Sequence, residues 1–313
     1  MAFSQDSPMK GFGASILDEK ASNAGPAGID IAYQRAGNPD APVVLPIMGI
    51  AAQSIAWPDA FCDALVDRGL QVIRFDNRDA GLSTHMTDAP PPDLPAVLAG
   101  DLSSVSYTLS DMAADAVGLL DALGCEKAHV VGASMGGAIA QTMAIEHPDR
   151  VRSLTSMMST TGNMSVGQPW PEALREVFAG PRAVTRDEVI QQRLRAVRAL
   201  GSPGYPADEK EAAAGAGRAY DRCYDPIGAA RQAVASVASG DRTERLRHIE
   251  VPTLVIHGLA DRMCDVSGGR ATAEAIAGAE LVLIEAMGHD LPPGLRLQLA
   301  ARIADFVWRA EGR

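Results

Sequence analysis

Six short apolar runs punctuate the chain, at residues 43–45, 71–75, 128–131, 151–157, 253–256 and 281–284. Val, Ile and Leu dominate most of them with little polar alternation, the pattern of strands covered on both faces. Between the runs lie stretches of helical periodicity. Residues 58–66 follow Trp57. Residues 110–123 open on Ser110 as a candidate N-cap, with Asp111 in the first turn. Residues 134–146 are rich in small side chains, and residues 295–309 are amphipathic. Alternation of this kind predicts an α/β fold, a mostly parallel sheet flanked by helices with right-handed crossovers.

Residues 163–250 break the alternation, with no convincing strand. Pro171 suits a helix first turn. Thr185 and Glu188 form a capping box ahead of a helix whose apolar face carries Ile190, Leu194 and Val197. Asp225 followed by Pro226 marks another start. The interval predicts an all-helical insertion, dividing the chain into a core of residues 1–162 and 251–313 and a helical cap of residues 163–250. The insertion holds 13 Lys or Arg and 12 Asp or Glu, hence about +1, leaving about −12 on the remainder. Residues 1–27, with their Gly, Ser, Asn and Pro, are expected to be partly loose.

Composition narrows the function. A chain of 313 residues, 47% hydrophobic and 21% charged, can bury a sizeable core. Its net charge of −11 repels phosphate backbones and anionic lipid, so neither nucleic acid nor membrane is an expected partner. Cys62, Cys125, Cys223 and Cys264 form no C-x-x-C pair, which leaves no zinc knuckle or redox motif. Scattered thiols suit a reducing cytoplasm. No signal-peptide pattern opens the chain, and the longest apolar stretch, residues 41–52, is too short to span a bilayer.

The sharpest chemical signal is Gly132-Ala133-Ser134-Met135-Gly136, directly after one predicted strand and at the start of a predicted helix. That setting defines a nucleophile elbow; the alternative is a Gly-rich strand–helix turn of no chemical consequence. A serine nucleophile needs a base. Of the six histidines, His129 and His257 fall in or at the end of strands and are expected to be packed, His147 to end a helix, and His248 to be solvated. His85 lies in a loop and stays open. His289 follows the last predicted strand, on the sheet edge where ligands collect in open α/β folds. A base in turn needs a carboxylate to fix its tautomer. Asp261, just past the strand at 253–256, supplies it, with Asp265 as the near competitor. The order Ser134, Asp261, His289 is that of a triad on this kind of scaffold.

With those residues in view, the chain resembles α/β-hydrolase-fold serine esterases with a helical cap, and most closely the aclacinomycin-methylesterase type. Besides the elbow, the resemblance rests on Met48-Gly49, Trp57-Pro58, the stretch from Asp76 to Ser83, and Gly288-His289. It covers residues 28–160 and 251–308 well and the cap poorly. It implies an oxyanion hole formed by the backbone N–H groups of Met135 and Ile50, with Met48 standing where most relatives carry His. Asp76 to Ser83 is expected to be structural, a turn organised by Arg78 and Gly81. Met48, Met135, Met157, Met158, Met164 and Met287 could form a pliable apolar pocket or ordinary core. Trp170, Tyr205, Tyr220 and Tyr224 could close over an aromatic substrate, with packing within the cap the expected role of each alone.

The expected function is hydrolysis of carboxylic esters through an acyl-enzyme, with no metal or organic cofactor. The substrate is expected to be an apolar or bulky small-molecule ester; a methyl ester is implied by the resemblance alone. Lactonase, acyltransferase, perhydrolase or C–C hydrolase chemistry could use the same triad, and a ligand receptor could use the same scaffold. Dehalogenase and epoxide hydrolase relatives carry Asp as nucleophile, whereas position 134 is Ser. Self-association into a homo-oligomer is left open.

Overall fold

The computed structural model describes residues 11–12, 17–177, 179 and 182–313. Eight strands form one sheet: β1 (Glu19–Ala24), β2 (Ile29–Ala36), β3 (Val43–Ile47), β4 (Gln71–Phe75), β5 (Ala128–Ala133), β6 (Val151–Met157), β7 (Thr253–Gly258) and β8 (Glu280–Ile284). Their spatial order is β1-β2-β4-β3-β5-β6-β7-β8. The β1–β2 and β2–β4 pairs are antiparallel and every other pair is parallel. All six predicted strands are present. β3, β4, β5 and β7 are buried along their whole length, as their largely apolar character requires.

The antiparallel margin adds two strands, β1 and β2, to the six that were predicted. β1 lies inside the segment expected to be loose, of which residues 1–10 and 13–16 fall outside the described residues. β1 reads Glu-Lys-Ala-Ser-Asn-Ala and is mostly open to solvent. As an edge strand it needs polar residues rather than an apolar run, which is why hydrophobicity did not reveal it.

The helices are α1 (Asp59–Val66), α2 (Leu94–Leu98), α3 (Leu109–Ala122), α4 (Met135–Glu146), α5 (Pro171–Val177), α6 (Arg186–Leu200), α7 (Glu209–Arg222), α8 (Pro226–Ala238), α9 (Thr243–Leu246), α10 (Val266–Ala275) and α11 (Arg296–Ala310). Phe61 and Leu65 of α1 pack with Leu299, Ile303 and Val307 of α11 on one face of the sheet. Met112 and Leu119 of α3 pack with Ile139 and Met143 of α4 on the other. α3 begins one turn-fraction earlier than predicted. Thr108 caps it in a box with Asp111, whose carboxylate accepts from Thr108 N at 2.8 Å, while Ser110 donates instead to Glu146. Helices α5 to α9 fill the interval between β6 and β7, where the described residues contain no strand. Both predicted caps are in place there: Thr185 and Glu188 open α6, and Asp225 accepts from the amides of Ile227 and Gly228 to open α8.

Pro46 lies within β3, opposite Val131 of β5. Pairing of β3 with β4 is confined to Val43 and Val44, so the missing N–H falls where the ladder has already ended on that side. The chain runs from β3 to β4 on one flank and returns to β5 on the other. The carboxyl ends of β3 and β5 therefore border the topological switch point, where open α/β sheets form their binding crevice.

Candidate active site

Ser134 occupies the turn between β5 and α4 with φ 57° and ψ −124°, a strained conformation for a residue with a side chain. It is held by its amide, which donates to Met157 O at 2.9 Å, and by its carbonyl, which accepts from Gly137 N at 2.9 Å. The flanking glycines leave no room for a side chain. A Cβ on Gly132 would lie 2.1 Å from Gly136 O, and one on Gly137 would lie 2.6 Å from Ser159 Cβ. Ser134 is half-buried while the residues beside it are buried, so the turn presents its hydroxyl outward. Ser134 Oγ makes no hydrogen bond among the described residues.

His289 and Asp261 are brought together. His289 Nδ1 lies 2.8 Å from Asp261 Oδ2. A carboxylate can only accept, so Nδ1 carries a proton, and in the neutral ring the lone pair is on Nε2. The other oxygen, Asp261 Oδ1, accepts from the amides of Met263 at 2.9 Å and Cys264 at 2.8 Å. Burial works to raise the pKa of Asp261. The charge of His289, hydrogen bonds from His257 and His289, and the Cys264 amide outweigh it and hold the carboxyl well below the ordinary range. Asp265 takes no part: it caps α10 by accepting from Ser267 N.

A second imidazole, not foreseen in this role, faces the same carboxylate. His257 is packed as expected, but its Nε2 lies 3.5 Å from Asp261 Oδ2 and 2.8 Å from Cys264 O. The signal was available as the four-residue spacing from His257 to Asp261 just past the strand. The other histidines serve elsewhere. His129 Nδ1 meets Ser153 Oγ at 2.8 Å, His147 ends α4, and His248 is exposed. His85 bonds to Asp225 at 2.7 Å and to Gly81 O at 3.0 Å.

Two backbone amides stand beside the elbow. Met135 N opens α4 and Ile50 N follows Gly49; neither donates to an acceptor among the described residues. A Cβ on Gly49 would lie 3.0 Å from Ser134 Cβ and 3.5 Å from Ser134 Oγ, so the loop after β3 passes directly over the serine. That loop is anchored on both sides of Ile50. Asn77 Nδ2 donates to Met48 O at 3.0 Å, and Ala51 N donates to Gln232 Oε1 at 2.8 Å. Gln232 sits on α8, and no pattern in the sequence links it to residue 51.

The stretch from Asp76 to Ser83 is a buried junction. Arg78 pairs with Asp115 at 2.6 Å, Asp79 pairs with Arg231 of α8 at 2.8 Å, and Gly81 adopts φ 57° against the Asp76 carboxylate. The methionines divide. Met157 and Met287 are fully buried, Met48, Met135 and Met158 nearly so, and Met164 is exposed. Tyr220 and Tyr224 stack at 5.3 Å and donate to Val184 O and Ala183 O, which is helix packing.

A strained serine elbow, a carboxylate–imidazole pair and two open amides at the switch point define a hydrolase of the α/β-hydrolase fold. Residues 42–292 match that fold family, and the chain belongs to it. It is 32% identical over 293 residues to the rhodomycin D methylesterase of Streptomyces peucetius, spanning 85% of this chain and 91% of that one. It is 30% identical over 213 residues to the 2-hydroxymuconate semialdehyde hydrolase of Pseudomonas sp. strain CF600, spanning 63% and 67%. The meta-cleavage product hydrolase of Pseudomonas fluorescens IP01 superposes with a TM-score of 0.72 at 20% identity, over 94% of this chain and 98% of that one, a likeness of fold. No helix among the described residues is long and apolar enough to cross a membrane.

Proposed function

We propose that the protein hydrolyses carboxylic esters through an acyl-enzyme, with Ser134, His289 and Asp261 as its triad. Ser134 Oγ attacks the ester carbonyl carbon while His289 Nε2 takes the hydroxyl proton. Asp261 fixes the tautomer and stabilises the imidazolium. The carbonyl oxygen, now negative, is held by the amides of Met135 and Ile50 in a hole preorganised by the packing of Gly49 on the elbow. As the tetrahedral adduct collapses, His289 returns the proton to the leaving alcohol. Water then attacks the acyl carbon while giving a proton to His289; the bond to Ser134 Oγ breaks, His289 returns that proton to Oγ, and the acid leaves.

The observation that carries this proposal is the 2.8 Å bond between Asp261 Oδ2 and His289 Nδ1, which turns the basic nitrogen away from the carboxylate. The link from that nitrogen to Ser134 closes in the substrate complex, because such bonds commonly tighten only once substrate is bound. The rhodomycin D methylesterase relative favours a methyl ester of a bulky acid. Residues 163–250 act as a helical cap over a core of residues 1–162 and 251–313. Four cysteines outside any disulfide suit the cytoplasm.

The test is Ser134→Ala beside the parent protein on a panel of p-nitrophenyl and methyl esters. The parent turns over repeatedly and labels at one serine with a fluorophosphonate. The variant keeps its melting temperature, loses labelling, and loses at least about 10³ in kcat. Retained turnover in the variant would remove Ser134 as nucleophile. Stoichiometric binding without turnover in the parent would make the protein a receptor.

A further inference from the structure

The end of α6 and the residues after it grip the loop that carries His289 at successive backbone positions. His289 N donates to Leu200 O at 2.7 Å, Gly288 N donates to Ser202 Oγ at 2.9 Å, and Gly204 N donates to Ala286 O at 3.2 Å. Ser202 Oγ lies 2.5 Å from Asp290 Oδ1. The direction of this chain is fixed by chemistry. A peptide N–H can only donate, so the Ser202 hydroxyl accepts from Gly288 and spends its single proton on Asp290. Packing is tight enough that a Cβ on Gly288 would lie 2.4 Å from Leu200 O and 2.5 Å from Gly201 O. Ser202 is buried, and Ala286 holds φ 53°, a conformation that persists only where its surroundings impose it. Burial raises the pKa of Asp290, opposed by its hydrogen bonds from Ser202 and the charge of Arg193 on α6.

We propose that Ser202 and Asp290 are positioning residues for His289. This rests on the triad of the proposed mechanism. Asp261 fixes the imidazole at Nδ1, but a ring held at one atom can still swing with its backbone. The relay from Gly288 N–H through the Ser202 hydroxyl to the Asp290 carboxylate fixes the backbone on both sides of the ring, and Leu200 O fixes the amide of His289 itself. The segment after α6 thereby sets where Nε2 can meet Ser134. A misplacement of about 1 Å at such a group costs on the order of 10²-fold in rate.

The test uses the full chain with Ser202→Ala, Asp290→Ala and Asp290→Asn, compared by steady-state kinetics on a p-nitrophenyl ester, by the rate of fluorophosphonate labelling at Ser134, and by thermal melting. Asn keeps an oxygen that accepts the Ser202 proton, so Asp290→Asn retains kcat within about threefold of the parent. Ser202→Ala and Asp290→Ala lose about 10- to 100-fold in kcat and in labelling rate, with KM within about threefold. Folded Ala variants with kcat and labelling within twofold of the parent would overturn the proposal. So would an Asp290→Asn variant as slow as Asp290→Ala, or a change in KM with kcat intact. A parent protein that neither labels nor turns over defeats the nucleophile assignment instead, an outcome these variants do not imitate.

Discussion

Gly136, in the first turn of α4, lies so close to the end of β3 that a Cβ on it would stand 2.0 Å from the carbonyl oxygen of Ile47. That approach brings the two halves of the proposed oxyanion hole together, because Met135 precedes Gly136 and Ile50 follows Ile47 by three residues. The obstacle to a side chain is backbone on both sides, so neither element can yield cheaply. Gly136→Ala is expected to push α4 from β3, lowering kcat by about 10²-fold on an ester and stability by about 1–3 kcal/mol from overpacking. Steady-state kinetics with urea unfolding check both. A variant with parental kcat would show that the two amides do not depend on this contact.

Gln232 gives a gentler way to disturb the same hole. Its side chain is fully buried, accepts from Ala51 N at 2.8 Å and donates to Arg78 O at 2.8 Å. Ala51 itself holds φ 60°, so the turn that aims the Ile50 amide leans on this glutamine. Gln232→Ala should lower kcat by about tenfold, a part of what losing an oxyanion donor outright costs, with KM little changed. Gln232→Glu keeps the acceptor but removes the donor to Arg78 O, and should fall between the two. Unaltered kcat in both would take Ile50 out of the hole.

The parallel core, the Ser134 turn and the pairing of Asp261 with His289 were legible in the sequence because each declares itself locally. Buried parallel strands read as unbroken apolar runs, and the elbow needs Gly at 132 and 136 around Ser134. Asp261 and His289 each follow a strand, which places them on one edge whatever the helices do. The edge strand β1 was hidden because its physics asks for polar residues. Gln232, Ser202 and Asp290 were hidden because their roles are long-range: Gln232 meets Ala51 across 181 positions, and Ser202 meets Asp290 across 88. Periodicity and capping describe a helix but not the partner on which it rests.

Asp79 and Arg231 form a buried pair between the junction after β4 and α8. Arg231 Nε lies 2.8 Å and Nη2 3.0 Å from the Asp79 carboxylate, which also accepts from Tyr107 OH at 2.8 Å. Both side chains are almost wholly withdrawn from water, so removing the Asp79 charge leaves the buried guanidinium with only the more distant Asp225 carboxylate, at 3.8 Å. Asp79→Asn is expected to cost about 3 kcal/mol in urea unfolding, the lower end for breaking a buried pair. Replacing both residues by apolar ones should cost less than the single change. A loss below about 1 kcal/mol in Asp79→Asn would mean that water reaches the guanidinium.

His129 makes stability depend on pH below the ordinary histidine value. It lies in β5 with no exposed surface, its Nδ1 against Ser153 Oγ and its Nε2 3.3 Å from Glu311 Oε1. Burial pulls its pKa down from 6.5 to about 4, against the pull of Glu311. Between those two values the unfolded chain binds a proton that the folded chain does not, so the free energy of unfolding falls as pH drops from about 6.5 towards 4. The loss attributable to this residue is on the order of 1–3 kcal/mol. Asp261 acts lower: its depressed pKa confers stability that is present above the ordinary Asp value and lost only as pH falls beneath it. His129→Gln keeps a polar group for Ser153 and cannot titrate. Urea unfolding of parent and variant at pH 7.5, 6.0, 5.0 and 4.5 should give curves that converge with falling pH, the parent declining more steeply. Parallel curves across that range would mean that His129 binds its proton equally well folded and unfolded.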